Sequence, residues 1–261
     1  MARVLSALVL IPVVLAGIWL APHWLFVALL GAVLVLAFVE YAQLSAASGL
    51  DIPKGVAGAA ALGTCVAFAS PEGLIAVPLM AVFVAVGVVA VGRWQPGPKV
   101  LGSVAATLFP SIYLGMPIGS MAAIRAEYDR EGLLLMLVTV WISDTAQFYA
   151  GRLFGHRLLS PTISPKKTVE GAIGGFVFGT SAFAILGQWW LPGVHVGWLV
   201  GLGAVLVGLG IAGDLFESLL KRSAGVKDSS ALIPGHGGVL DRIDALLFVA
   251  PGYYLILRLI T

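Results

Sequence analysis

Residues 218–244 read SLLKRSAGVKDSSALIPGHGGVLDRID. They lie between an apolar run that starts near Val196 and another that ends near Ile260. The stretch packs Lys221, Arg222, Lys227, Asp228, His236, Asp241, Arg242 and Asp244 into one short segment. A charge placed at the centre of a membrane helix costs about 2.5–3.5 kcal/mol. Charge this dense between two such runs marks a polar site at or just inside a membrane surface. An ordinary cytoplasmic loop explains Lys and Arg alone. It needs neither Asp241 and Asp244 entering the next apolar run nor the PGHGG turn at residues 234–238.

The rest of the chain agrees. Of 261 residues, 59% are hydrophobic and only 11% charged, where a soluble domain carries about 25% charged residues. Apolar runs of about 20 residues recur, each long enough to cross a bilayer. The alternating ten-residue segments of a membrane barrel are absent. The expected fold is an all-α, polytopic integral membrane protein with about nine transmembrane helices. Cys65 is the only cysteine, so a disulfide framework or CxxC metal site is excluded, and it reads as a core residue. Arg3 and the run after it resemble a signal peptide, but are read as a retained first span.

Working outward, spans are expected over residues 4–20, 24–44, a Gly/Ala-rich stretch to Ala69, a fourth to Val91, and a fifth to Ala123. Polar or Pro/Gly turns separate them, among them Ser70-Pro71-Glu72-Gly73. Pro110 and Pro117 should kink the fifth. A charged loop is expected from Arg125 to Glu131. The sixth span begins near Leu133 and ends in SDTAQFYAGRLFG; a polar segment, residues 156–168, follows. The seventh covers residues 169–191, the eighth starts at Val196, and the last ends near Ile260. The division expected is 1–130 for the first helices and 131–261 for the helices that carry the site.

With nine spans, one set of loops holds Arg3, Lys54, Arg93, Lys99, Arg152, Arg157, Lys166, Lys167, Lys221, Arg222, Lys227 and Arg242. The other holds Arg125, Arg130 and Arg258. The positive-inside rule puts the first set, and the N-terminus, in the cytoplasm and the C-terminus outside. Trp19, Trp24, Trp189, Trp190 and Trp198 then sit at the outer interface as lipid anchors. The segments after spans six and eight share the cytoplasmic side and are expected to build one site.

Three clusters supply it. The first is Ser143, Asp144, Thr145, Gln147 and Arg152, continuing into SPKKTVEG from Ser164 through Lys166, Lys167 and Thr168 to Gly171. The second is Asp214, Glu217, Ser218, Lys221 and Arg222, whose spacing of three or four puts its carboxylates on one helical face. The third is Lys227, Asp228, His236, Asp241, Arg242 and Asp244. Carboxylates at a membrane surface suit magnesium, which takes one or two of them plus substrate phosphate oxygens. Isolated histidines and the lack of cysteine ligands make zinc a poorer fit than magnesium. Lysines and arginines around the acids suit phosphates, and Gly237 and Gly238 allow close backbone approach ahead of a helix N-terminus. No P-loop or Rossmann motif occurs. Acids, cations and lipid together point to phosphoryl or nucleotidyl transfer onto a lipid phosphate.

Blander roles compete. Asp144 and Asp214 could pair with a buried arginine, and Glu170 and Glu217 could merely cap or pair. Glu40 reads as a paired or snorkelling helix-end residue. His236 reads as a turn residue as readily as a catalytic one. His23, His156 and His195 look like interface or loop residues. The four-residue spacings of Gly171, Gly175 and Gly179, and of Gly197 and Gly201, read as close helix packing.

Residues 218–244 resemble the C-terminal hallmark of the phosphatidate cytidylyltransferases, or CDP-diacylglycerol synthases. The matching positions are Ser218, Lys221-Arg222, Lys227-Asp228, Pro234, His236-Gly237-Gly238, Asp241-Arg242 and Asp244. Ser230 and Ala245 stand where many members have Gly and Ser. The stretch SDTAQFYAGRLFGHRLLSPTISPKKTVEG is also similar to the family, while the N-terminal half matches only in being hydrophobic. The resemblance implies the reaction of CTP with phosphatidate to give CDP-diacylglycerol and pyrophosphate. It implies a homodimer in a bacterial inner membrane, Mg2+ and a second, monovalent cation (K+), and no nucleic-acid partner. By the resemblance, Asp214 and Asp241 are the first metal ligands, and Asp144 and Asp244 the next. Lys221, Arg222, Lys227, Asp228, His236 and Arg242 complete the catalytic set. Ser164, Lys166, Lys167, Thr168, Ser218, Gly237 and Gly238 are the substrate-phosphate binders. The alternatives left open are a CTP-dependent enzyme acting on another lipid phosphate or a polyprenol, and a phosphate or anion transporter.

Overall fold

The computed structural model describes residues 12–70, 76–230 and 237–260. Residues 12–20 are helical. After them come α1 (His23–Ala47), α2 (Lys54–Ala69), α3 (Ala76–Arg93), α4 (Val100–Glu127), α5 (Asp129–Phe154), α6 (Val169–Trp190), α7 (Val196–Ser223) and α8 (Leu240–Ile260). A two-stranded antiparallel hairpin, β1 (Leu158–Ser160) and β2 (Ser164–Thr168), separates α5 from α6. The protein is an all-α polytopic membrane protein. Among the described residues six helices, α1 and α3 to α7, are long and apolar enough to cross a bilayer, against the nine crossings expected. The 16-residue α2 is shorter; at a rise of about 1.5 Å per residue it falls below the bilayer's apolar thickness. Arg3, most of the first expected span, the Pro71-Glu72-Gly73 break, Pro234 and His236 lie outside the described residues.

Local chemistry sets the helix ends. At Gly49 and Gly225 the chain turns through positive φ. The next amide returns to a carbonyl five residues back, Leu50 N to Ser45 O and Val226 N to Lys221 O. This closure spares a side chain from the left-handed region. The Thr168 hydroxyl caps α6 by accepting from Gly171 N at 3.1 Å, as an N-cap residue should. Pro110 does not break α4. A single π turn, Ser111–Gly115, follows it and the helix continues.

The chain divides into two compact units. One comprises residues 1–126 with 220–243. Its core is built by Leu34, Ala57, Ala61, Leu114, Ile118 and Ile124. Here α4 lies so close to α2 that a Cβ on Gly119 would stand 2.6 Å from the Cys65 carbonyl oxygen. Cys65 is buried, as expected. In the same unit Asp51 accepts from Arg93 Nε and Trp94 Nε1 at 3.0 and 2.9 Å. Arg93 above all, then Trp94, holds this carboxyl below its ordinary range.

Two expectations are corrected. The charged loop from Arg125 to Glu131 does not exist: α4 reaches Glu127, α5 starts at Asp129, and only Tyr128 lies between them. Arg125 is buried, with its guanidinium 4.5 Å from the Phe26 ring. It donates to Ile18 O at 2.9 Å and Ala21 O at 2.5 Å. Carbonyls at the end of a helix lack partners within it, and an arginine supplies them while its stem packs on apolar surface. The second correction concerns the glycines on α7. Gly201 faces open space, and Gly197 meets only His195.

The other unit comprises residues 127–219 with 244–261. Leu133, Met136, Phe183, Leu199, Leu206 and Tyr253 form its core. The expected packing of Gly171, Gly175 and Gly179 is present. A Cβ on them would stand 2.8 Å from Gln147 O, 2.5 Å from Gln147 Cγ and 2.9 Å from Ser143 Cβ, all on α5. On α7 it is Gly213 that permits approach, with Asp244 O 2.6 Å from where its Cβ would be. Small residues let membrane helices gain dispersion where no water drives them together.

Candidate active site: two polar clusters

In the second unit the sequence brings carboxylates together from three helices. Asp144 lies on α5, Asp214 and Glu217 on α7, and Asp244 on α8. Asp244 is within electrostatic range of Asp214, Glu217 and Asp144. Glu217 is fully buried and Asp144 exposed. Gln147 Nε2 bridges Ser143 Oγ and Asp144 Oδ1, each at 3.2 Å. The Ser218 hydroxyl points at Asp214 Oδ1 from 3.5 Å.

The hairpin explains the two adjacent lysines. Successive residues of a strand point to opposite faces. On β2, Lys166 is exposed, whereas Lys167 turns inward and pairs with Asp214 at 2.5 Å. The strands pair Leu158 with Thr168 and Ser160 with Ser164, with a bulge or irregularity between the two pairs. Glu170 ties the hairpin to α6 by accepting from His156 N at 3.1 Å and Arg157 N at 3.2 Å. His156 is the loop residue expected.

The first unit holds the second cluster. Lys221 pairs with Asp241 Oδ1 at 2.5 Å, both side chains nearly buried. Asp241 Oδ2 accepts from Ser229 N at 3.1 Å, Ser229 Oγ at 2.8 Å and Gly238 N at 2.7 Å. Arg222 donates to Val226 O at 3.2 Å. Lys227, Asp228 and Arg242 are exposed. Gly237 has φ +76°, and a Cβ there would stand 2.8 Å from Asp241 Oδ2. At Gly238 a Cβ would run into Ser229 Oγ and the Glu40 carboxylate. These glycines are required by the close approach of protein side chains.

Glu40 is the residue that reading undervalues. It sits on α1, only 2% exposed. Its Oε1 accepts from Ser230 Oγ at 2.6 Å and Val239 N at 2.9 Å. Its Oε2 accepts from Ser229 Oγ at 2.9 Å and Leu240 N at 2.8 Å. It thus serves two amides at the start of α8, where a negative charge is favoured. The available signal was a carboxylate inside an apolar run, which is costly without a partner. The partners lie about 190–200 residues away, which no local pattern shows.

What can these clusters do? Carboxylate oxygens are hard donors of the kind magnesium takes. The second unit gathers four of them around one paired lysine, a charge balance that fits a divalent cation. Among the described residues no three His, Cys, Asp or Glu side chains are already grouped as a metal cage. Magnesium keeps several waters and needs only one or two carboxylates, so that looseness does not conflict with it. The first unit offers lysine and arginine beside a glycine turn, a setting for phosphate oxygens.

The sequence matches the Cytidylyltransferase family over residues 1–260. A phosphatidate cytidylyltransferase of Pseudomonas aeruginosa is 34% identical over 259 residues, which is 95% of this chain and 93% of that protein. One of Aquifex aeolicus is 45% identical over 132 residues, 50% of this chain and 49% of its own. One of Thermotoga maritima is 36% identical over 167 residues, 62% of each. The matched segment thus spans about half to two thirds of the length of the latter two relatives.

Proposed function

This chain belongs to the cytidylyltransferase family, and from that premise we propose that it makes CDP-diacylglycerol and pyrophosphate from CTP and phosphatidate. The observation that carries this reading is the pairing of Lys167 with Asp214 and of Lys221 with Asp241. Each of the two carboxylates that the resemblance ranks first is held beside a lysine. A phosphate monoester of the lipid attacks the α-phosphorus of CTP. The new P–O bond forms as the α–β bridging bond breaks, and pyrophosphate leaves with the electron pair.

Each unit is assigned its share. In the second unit Asp144, Asp214 and Asp244 would hold a divalent cation, magnesium; Asp241, in the first unit, is carried as a first-ranked metal ligand by the resemblance alone. When bound, the cation neutralises charge that builds on the phosphates in transfer. Lys167 sets the orientation of Asp214. Lys221, Arg222, Lys227 and Arg242 bind phosphate oxygens, and Gly237 and Gly238 let backbone amides approach them. His236, Asp228, Ser164, Lys166, Thr168 and Ser218 are carried as further members of the site. A monovalent second cation and a homodimer belong to the same proposal, as does a cytoplasmic N-terminus in a bacterial inner membrane. An apolar groove of about 560 Å³ lies along α5 and α6, lined by Trp141, Thr145, Tyr149, Leu153 and Phe178. It gives an acyl chain a place on the same helix as Asp144.

The test is an acceptor comparison in detergent micelles with CTP and magnesium, read by mass spectrometry. Phosphatidate should give CDP-diacylglycerol and pyrophosphate. Product from a polyprenol or another lipid phosphate alone would move the assignment to a related CTP-dependent enzyme. Phosphate uptake into sealed vesicles without CTP turnover would replace it with a transporter.

A further inference from the structure

We propose that Glu40, on α1, is a positioning residue for the transfer, acting on Asp241 through Ser229. The proposal rests on the reading of Asp241 and Lys221 as parts of the transferring machinery. Ser229 Oγ stands 2.9 Å from Glu40 Oε2 and 2.8 Å from Asp241 Oδ2. A hydroxyl carries one proton, so the two carboxylates compete for it and Ser229 couples their positions. Glu40 is buried, and four donors converge on its two oxygens. Two of those donors are the Val239 and Leu240 amides, immediately before Asp241. The third and fourth are the hydroxyls of Ser229 and Ser230, which follow Lys227 and Asp228. Glu40 therefore ties residues 229–230 to residues 239–240 within the hallmark stretch. Asp241 in turn holds Lys221 at 2.5 Å, so a shift of Asp241 moves the lysine too.

The rival reading is a buried cap that matters to stability alone. The two part on kcat. A glutamine at this position keeps the shape but presents an amide nitrogen to donors that need an acceptor. Glu40→Gln should lower kcat by about tenfold to hundredfold, the cost of misplacing reacting groups by an ångström or less. KM for CTP should stay within about threefold, since the lost interaction is not a ground-state one. Glu40→Asp, which keeps both oxygens, should recover part of the loss. The Glu40→Gln, Ser229→Ala double variant should be no worse than the poorer single variant, because the two act as one relay.

The experiment measures kcat and KM on the full chain in micelles, and amide hydrogen exchange on the same samples. Exchange at Gly238, Val239 and Leu240 should rise at least about tenfold in Glu40→Gln, with α2 unchanged. A folded Glu40→Gln with wild-type kcat overturns the proposal, as do multiplicative effects in the double variant. If Glu40→Gln does not accumulate, Ser229→Ala carries the kcat and exchange tests, and wild-type values for both overturn the proposal. If the wild type itself turns nothing over, the proposed function fails. The exchange arm then decides on its own whether Glu40 sets this segment, and unchanged exchange overturns that.

Discussion

At the scale of single residues, two glycines make opposite predictions for the same substitution. Gly238→Ala forces a methyl group into Ser229 Oγ and the Glu40 carboxylate. It should cost about 1–3 kcal/mol, as overpacking does, and lower both the melting temperature in detergent and kcat. Gly201→Ala meets open space on α7. It should be neutral or stabilise by up to about 1 kcal/mol, because alanine is the better helix former. The adjacent lysines part in the same way. Lys167→Ala removes the partner of Asp214 and should lower kcat/KM by about a hundredfold or more, the scale of losing one preorganised charge contact. Lys166→Ala should cost less than about tenfold by the same measure, since that side chain points to solvent. The charges themselves were legible: every carboxylate and cation in the two clusters, Glu40 included, stands out against an apolar chain. Their pairings were not. Which of Lys166 and Lys167 turns inward depends on strand register, and Glu40 finds its partners only after the chain has folded back on itself.

At the scale of elements, the helices were legible because apolar length is a strong signal and turns carry Pro, Gly and charge. The second expected span and α1, His23–Ala47, differ by at most three residues at either end. The β hairpin was not legible. Residues 158–168 mix Leu, Ser, Pro and Lys with no clean alternation, and their pairing is set by where α5 ends and α6 begins. Arg125 misled for a physical reason: an arginine after an apolar run usually marks a loop, but here it serves the carbonyls of Ile18 and Ala21. The cap and the α5–α6 contact are each open to test. Thr168→Ala should destabilise by about 1 kcal/mol, the usual worth of an N-cap, seen as a lower melting temperature. Gly175→Leu should be worse, by about 1–3 kcal/mol or more, because Gln147 already lies against that glycine. It should also separate α5 from α6, reported by faster amide hydrogen exchange along both helices.

At the scale of the whole molecule, the chain is an all-α membrane protein of the cytidylyltransferase family. Its polar residues gather in two units whose chain segments interleave, residues 1–126 with 220–243 and 127–219 with 244–261. The family match runs over residues 1–260 and so takes in the N-terminal half, which supplies Glu40 to the hallmark segment. The proposed orientation, with the N-terminus cytoplasmic, puts the 94–99 loop in the cytoplasm and the 192–195 turn outside. Cys65 is buried, so single cysteines can report on that topology. A membrane-impermeant maleimide on intact cells should label a cysteine at position 194 and leave one at position 97 unlabelled until the membrane is opened. The reverse pattern would invert the orientation.

The most direct measurement is turnover of CTP and phosphatidate with magnesium in detergent micelles, comparing the wild type with Asp214→Asn. The substitution keeps the size of the side chain and removes its charge. The wild type should release CDP-diacylglycerol and pyrophosphate in equal amounts. The folded variant should be slower by at least about a hundredfold, because the charge that organises Lys167 and a divalent cation is gone. A variant as fast as the wild type would contradict the role given to the carboxylate cluster, and a folded wild type that turns over no CTP would contradict the transferase itself.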